Sequence, residues 1–447
     1  MAAASVSGAG LVWLSVFPLL ALAGAPLLAH PAYAGISRLA RAVLAGAAGA
    51  ALVSVTMTAL ALLAIPWSLP AVLAAAIALG FLLRWMVRDQ PSGLPRATRT
   101  TWVGGAATAV SAVAVSAAFL ATAAGSASSP DLLFFWGAKA QRFALAHTVD
   151  AAYLGDPSLA YMHAYYPPLV TNLYALASIA AGRMSWTAAT LLFPLLLAAL
   201  AAALPGILRA GAPERRTPAA AAASALTVAA IAIIGMEADV GGNGEMPLLL
   251  FETASIALLL SPLAESPAGQ LLAGWLLAGT VTTKVEGLPF ALTAIAAFVW
   301  IRRGSVRISP ALLRLGLPAA ASLLLWFAFG ERTHLFRGYS GDGTLLALHP
   351  EHLGVALRAI AAALVSTAHA LPYAVPVVCL LAADRRLDRD AAIPLVTAVA
   401  LSAFLLFTYL DRPGDPSQWI AWSAPRVFSP LPMLFALSAA RTREESA

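Results

Sequence analysis

Residues Ala42–Ile65 read AVLAGAAGAALVSVTMTALALLAI, a run without one charged side chain. A helix needs about 20 residues to cross roughly 30 Å of hydrocarbon, so this run is long enough to span a bilayer. The pattern recurs at Leu11–Ala29, Leu69–Met86, Trp102–Ala124, Ala219–Met236, Leu315–Phe329 and Ala391–Tyr409. None of these runs alternates apolar and polar residues with a period of two, which excludes a membrane barrel. The reading is all-α: a polytopic bundle of about 12–14 membrane helices, because in lipid every backbone amide must be satisfied within its own helix.

Composition agrees with that class, at 60% hydrophobic and only 11% charged residues over 447 positions. No soluble domain stands out. The chain reads as one integral-membrane domain, 1–447, with N-terminal helices in 1–100, a central module in 101–302 and C-terminal helices in 303–447 that complete its cavity. The first apolar run lacks a preceding basic residue and is soon followed by another, so it reads as a retained helix rather than a secretory signal. The single cysteine, Cys379, rules out a disulfide framework or a cysteine-based metal site within the chain.

The formal charge of +6 does not point to nucleic acid, because the arginines sit in short clusters between apolar runs. These are Arg84/Arg88/Arg96/Arg99, Arg209/Arg215/Arg216, Arg302/Arg303/Arg307/Arg314, Arg385/Arg386/Arg389 and Arg441/Arg443. The positive-inside rule makes each cytoplasmic. The segments Glu237–Glu245, Thr282–Gly287, Glu331–His352 and Asp411–Ser423 then share the external side with a polar, aromatic island at Ser126–Pro168. One stretch resists the count: if Pro167–Gly182 and Ser185–Leu208 both cross, Arg209 lands outside. Either Pro167–Gly182 is half-embedded or that cluster is not cytoplasmic.

The island is an external loop, 125–166, expected to carry short amphipathic helices. It contains Asp131, Trp136, Lys139, His147, His163, Tyr165 and Tyr166. Ionisable groups beside a bilayer need water, a partner or a ligand, since burying them unpaired costs several kcal/mol each. Lysine usage is pointed: of 27 basic residues only Lys139 and Lys284 are lysine, and both fall in outward motifs. Lys284 and Glu286 interrupt an apolar run and read as an ion pair. Trp419, Ser423 and Arg426 follow one another at helical spacing.

Asp131, Trp136-Gly-Ala-Lys139, Tyr166-Pro-Pro-Leu169, Gly244-Glu245-Met-Pro-Leu248, Thr283-Lys284-Val-Glu286-Gly287 and Trp419-x-x-x-Ser423-x-x-Arg426 occur in an ordered set over roughly residues 100 to 430. In order and spacing the set resembles the C-type (GT-C) glycosyltransferase superfamily. The likeness is to bacterial transferases of the dolichyl-phosphate-mannose protein mannosyltransferase and aminoarabinose transferase type, and to the branch that modifies lipopolysaccharide core sugars. The resemblance implies a multi-pass protein of the bacterial cytoplasmic (inner) membrane with an outward-facing active site. There a sugar would pass from a polyprenyl-phosphate donor to a hydroxyl of a lipid, glycan or protein acceptor, with no nucleic acid involved. By the same likeness Asp131 is the general base. Glu245 stands where the family usually carries Asp, whose role there is to orient acceptor or donor, and its longer arm displaces the carboxylate by about one methylene.

The leaving phosphate needs fixed cations where its charge develops, and Lys139, Lys284 and Arg426 are the candidates. Trp136, His163, Tyr166, Glu245, Glu286 and Trp419 are the candidate substrate contacts. The plainer alternatives are a snorkelling lysine at Lys139, a headgroup anchor at Arg426 and an aromatic belt at Tyr165. Some relatives in this superfamily use divalent ions, but here histidines and carboxylates are scattered without close ligand spacing, which leaves a metal open. No nucleophile elbow, zinc-protease motif or phosphate-binding loop occurs, so hydrolase, protease and ATPase classes lack support. A secondary transporter or lipid-linked sugar flippase is the rival, with Lys284/Glu286 as coupling groups. A catalytically dead scaffold is the third reading.

Overall fold

The computed structural model describes residues 8–88, 109, 130–208, 242, 244–335, 348–365, 370, 373–374, 388–411 and 414–441. The runs at Trp102–Ala124 and Ala219–Met236, the acids Glu237 and Asp239, Cys379 and the arginines at 96, 99, 209–216 and 385–386 fall outside them, apart from the single residue 109.

The described chain is all-helical. A split N-terminal span, α1 (Gly8–Leu14) and α2 (Val16–Leu28), leads to α3 (Arg38–Leu62) and α4 (Leu69–Met86). A π-helical turn, Leu132–Trp136, runs into α5 (Gly137–Ala146), followed by α6 (Leu169–Ala181) and α7 (Trp186–Leu208). Next come α8 (Glu245–Leu260), α9 (Pro267–Thr283), α10 (Gly287–Arg302) and α11 (Ile308–Thr333). The chain closes with α12 (Leu353–Val365), α13 (Ala392–Leu410), α14 (Ser417–Val427) and α15 (Pro430–Ala439). Among the described residues six helices are long and apolar enough to cross a membrane: Gly10–Leu28, Arg38–Leu62, Leu69–Met86, Trp186–Leu208, Ile308–Thr333 and Arg389–Leu410. The architecture is that of an integral membrane protein.

Serine caps set several starts: the hydroxyls of Ser37, Ser68 and Ser266 accept from the amides of Ala40, Ala71 and Gly269. Between α2 and α3 the contact is made by glycine. A Cβ on Gly24 would overlap the Ala45 carbonyl, and one on Gly49 the Leu20 carbonyl. In lipid, where apolar side chains gain little by leaving their surroundings, such close backbone approach is what holds helices together.

The bundle has two polar poles. At one, Arg302 pairs with Glu265 at 2.6 Å and Asp390 at 2.7 Å, while Arg441 pairs with Asp388 at 2.9 Å and Asp390 at 2.6 Å. The Tyr33 hydroxyl donates to the Ala268 carbonyl at 2.6 Å, and His30 Nε2 lies 3.1 Å from the Val87 carbonyl. The ends of α2, α4, α8, α10 and α15 and the starts of α3, α9 and α13 thus share this arginine-bearing pole. At the other, the Trp67 amide donates to the His147 carbonyl at 2.6 Å, Trp326 Nε1 to the Tyr165 carbonyl at 3.2 Å, and the His349 amide to the Leu410 carbonyl at 2.8 Å. The 17 residues of α9 separate the poles by roughly 25 Å at 1.5 Å per residue.

This frame resolves the contested stretch. The start of α7 lies at the island pole, where a Cβ on Gly137 would overlap the Trp186 ring, and its far end lies at the arginine pole, where a Cβ on Gly206 would come 2.9 Å from Ser37 Oγ. So α7 crosses, whereas α6 begins and ends on the island side. Asn172 donates to the Ser54 carbonyl of α3, and Ser178 Oγ accepts from Trp13 Nε1, so α6 lies against the upper parts of α3 and α1. It stays on the island side of the bundle, as the half-embedded alternative requires.

Candidate functional site

At the island pole a cavity of about 370 Å³ opens, bounded by the π-helical turn, the 163–166 segment, the start of α8, the corner between α9 and α10, and α14. Its wall includes Asp131, Trp136, His163, Tyr166, Glu245, Lys284, Glu286, Trp419 and Arg426, nine candidates of the sequence reading drawn from positions as far apart as 131 and 426.

Asp131 stands just before the π-helical turn, its side chain 22% exposed, and its Oδ2 accepts from Arg426 Nη1 at 3.3 Å. Burial pushes its carboxyl above the ordinary range, and nearby Glu245 adds to this. Arg426 and Lys284 pull the other way. The tenth candidate, Lys139, is not among the lining residues. It is buried behind the wall, with Nζ donating to the Met162 carbonyl at 3.1 Å and lying 4.7 Å from the centre of the Trp136 ring. Burial lowers its ammonium to about 7. Lys139 therefore backs Trp136 and does not line the cavity.

The aromatic wall is a stack. Trp136 lies on Tyr166 at 5.8 Å, His163 lies between Phe135 at 5.5 Å and Tyr166 at 5.0 Å, and Tyr165 meets Tyr166 edge-on at 5.1 Å. His163 takes a left-handed backbone, φ 50°, which turns the chain so that these rings converge. Tyr165, read as belt, lines the cavity with them.

Glu245 and Lys284 meet because two helix ends do. α8 starts at Glu245, and α9 stops at Thr283 on an extended Lys284. Lys284 Nζ lies 3.0 Å from Glu245 and 3.4 Å from Glu286, so the expected Lys284–Glu286 pair is part of a three-membered cluster. Burial works against the charged lysine, but the two carboxylates outweigh it and hold the ammonium above its ordinary range. Gly244 is needed for this approach, since a Cβ there would come 2.9 Å from Lys284 Cδ and 3.1 Å from Trp136 Cζ2.

On α14, Trp419, Trp422, Ser423 and Arg426 fall on one face at i, i+3, i+4 and i+7. The guanidinium lies 4.6 Å from the Trp422 ring centre, and the hydroxyls of Ser423 and Tyr409 are 2.9 Å apart. Sequence reasoning passed over Trp422, Phe135 and Glu252. Trp422 was legible as the i−4 neighbour of Arg426. Glu252 was legible as the lone acid inside an apolar helix, seven residues beyond Glu245. Among the described residues no three His, Cys, Asp or Glu side chains are grouped so as to hold a metal ion.

Chemically, the cavity joins a partly desolvated carboxyl, a guanidinium, a clamped lysine and flat aromatic faces. Such a set can accept a proton, stabilise an anion and stack on a sugar or another flat apolar face. Comparison with protein-family models, curated proteins and solved structures finds no match to this chain.

Proposed function

We propose that the chain is a membrane glycosyltransferase that moves a sugar from a polyprenyl-phosphate carrier to an acceptor hydroxyl on the external face of a bacterial cytoplasmic membrane. The observation that supports this best is the meeting of Asp131 and Arg426, 295 positions apart, at 3.3 Å in a cavity at one pole of an apolar bundle. A base and an anion-stabilising cation must stand together for the reaction, and a lipid-borne donor must reach them from the bilayer.

In this reading Arg426 holds Oδ2 of Asp131 and leaves Oδ1 to accept the acceptor's proton. The acceptor oxygen bonds to the anomeric carbon as the carbon–phosphate oxygen bond breaks, with inversion, and the electron pair leaves on the polyprenyl phosphate. A guanidinium has five donors, so Arg426 can steady the base and the phosphate together. Lys284 is neutralised by two acids. Its part is to fix Glu245 and Glu286 in the wall, and direct phosphate contact falls to Arg426. Trp136, His163, Tyr166 and Trp419 supply the stacking surface for donor and acceptor.

A flippase or secondary transporter is the second reading, favoured by Glu252, an acid wholly buried within α8. It needs a path to the arginine pole, where Arg302, Asp390 and Arg441 tie three helix ends together. The test is transfer of radiolabelled sugar from a panel of polyprenyl-phosphate donors in membranes holding wild type or Asp131→Asn at equal expression. Transfer by wild type that is lost in the variant supports the enzyme. Equal transfer removes Asp131 as base, and wild-type membranes inert toward every donor turn the weight to the flippase.

A further inference from the structure

Beneath the cavity floor, Glu252 is 0% exposed, and among the described residues neither of its carboxyl oxygens has a hydrogen-bond partner. Glu286 Oε2 is likewise buried without one. Both residues line a second, small cavity of about 10 Å³, close to the least that admits one water. An unsatisfied carboxyl in hydrocarbon is among the most costly groups a protein can bury, so two around one water-sized space call for a shared occupant.

The charged groups around this space are Glu245 from α8, Lys284 and Glu286 from the corner between α9 and α10, and Arg426 from α14. The rest of the lining carries no charge: Leu248, Leu401, Val427, Pro430 and the buried Ser429 at the N-cap of α15. With Asp131 above, four carboxyls face two cations. Fully ionised, the site would oppose the anion it is built to receive.

We propose that Glu252 and Glu286 share one proton through a water held in the small cavity, and that this proton is thermodynamically linked to binding of a phosphate-bearing ligand above. The proposal deepens the transferase reading and rests on it for the identity of the ligand. Linkage is reciprocal: a bound anion favours the shared proton, and the proton favours the anion. Glu252 is a positioning residue in this scheme, since it sets the charge of the floor without touching the ligand.

The size of the effect follows from the helix. Seven residues place Glu252 on the same face as Glu245 and roughly 10 Å deeper. One charge removed at about that distance, at an effective dielectric near 20, changes anion affinity roughly tenfold.

Two measurements on the full chain in detergent decide it. The first is the carboxylic-acid carbonyl band in the infrared, near neutral pH, in wild type, Glu252→Gln and Glu286→Gln. A band present in wild type, lost in Glu252→Gln and shifted in Glu286→Gln, is expected; no such band in wild type overturns the shared proton. The second is binding of farnesyl phosphate, followed by the fluorescence of the wall tryptophans across pH. Wild type should weaken roughly tenfold more than Glu252→Gln as pH rises, and equal slopes would overturn the linkage. If wild type binds no farnesyl phosphate at any pH, the phosphate-ligand reading and the linkage fall together. The infrared band then still decides whether the proton is shared.

Discussion

Asp131 works under opposing influences, and its pH behaviour should reveal them. Burial and Glu245 raise its carboxyl, while Arg426 and Lys284 restrain the rise. A base must be ionised, so transfer should be lost on the acid side through a midpoint above the ordinary carboxylate range. Arg426→Gln removes one restraint and should move that midpoint upward while lowering the rate about 10²-fold, read from kcat against pH. A midpoint that stays put would detach Asp131 from Arg426 in function. Lys139 makes the opposite kind of prediction. Its folded ammonium is depressed from 10.5 to about 7, so the unfolded chain binds that proton more readily. Stability should therefore rise with pH between about 7 and 10.5 and be flat in this respect below 7. Lys139→Met should flatten the slope, seen as Tm against pH in detergent, and leave farnesyl phosphate affinity within about twofold. Asp131 and Arg426 were legible because a charged residue in so apolar a chain must have a reason. Lys139 was singled out by the same logic, but the partner it has here is a main-chain carbonyl at Met162, which has no sequence signature.

The corner between α9 and α10 is the element that brings Lys284 and Glu286 to the wall, and it depends on Gly287. A Cβ there would overlap the carbonyl oxygen of Thr280, a backbone atom that cannot turn aside. Gly287→Ala should open the corner, cost about 1–3 kcal/mol, and lower Tm and transfer together. Unchanged transfer would show that the corner does not place Lys284. This element was plain in the sequence, where Thr283-Lys284-Val-Glu286-Gly287 interrupts an apolar run and the break falls at the charged residues. By contrast α6 could not be placed from sequence. Its 13 residues span only about 20 Å as helix, too short to cross roughly 30 Å of hydrocarbon, yet they are as apolar as a span. Composition measures transfer from water and is blind to direction. The contacts of Asn172 with α3 and Ser178 with Trp13 supply the missing direction.

Among the described residues the paired charges gather at the two poles. The arginine pole carries a closed network in which Asp390 accepts from both Arg302 and Arg441, and the island pole carries the mixed cluster around the cavity. The sequence held the first half of this, because positive clusters between apolar runs follow membrane topology. It did not hold the acids Asp388, Asp390 and Glu265 that neutralise them, because their partners lie on other helices. If the arginine pole is cytoplasmic, the cavity opens outward, where lipid-linked sugars would be consumed. The chain has one native cysteine, so Cys379→Ser gives a clean background for labelling. Ser158 is exposed at the island pole and Ser305 at the arginine pole. A membrane-impermeant maleimide should label Ser158→Cys in intact cells and Ser305→Cys only after the inner leaflet is breached. The reverse pattern would turn the cavity toward the cytoplasm, where an externally acting transferase could not work. Labelling of both from one side would break the two-pole frame, because roughly 25 Å of apolar helix separates them.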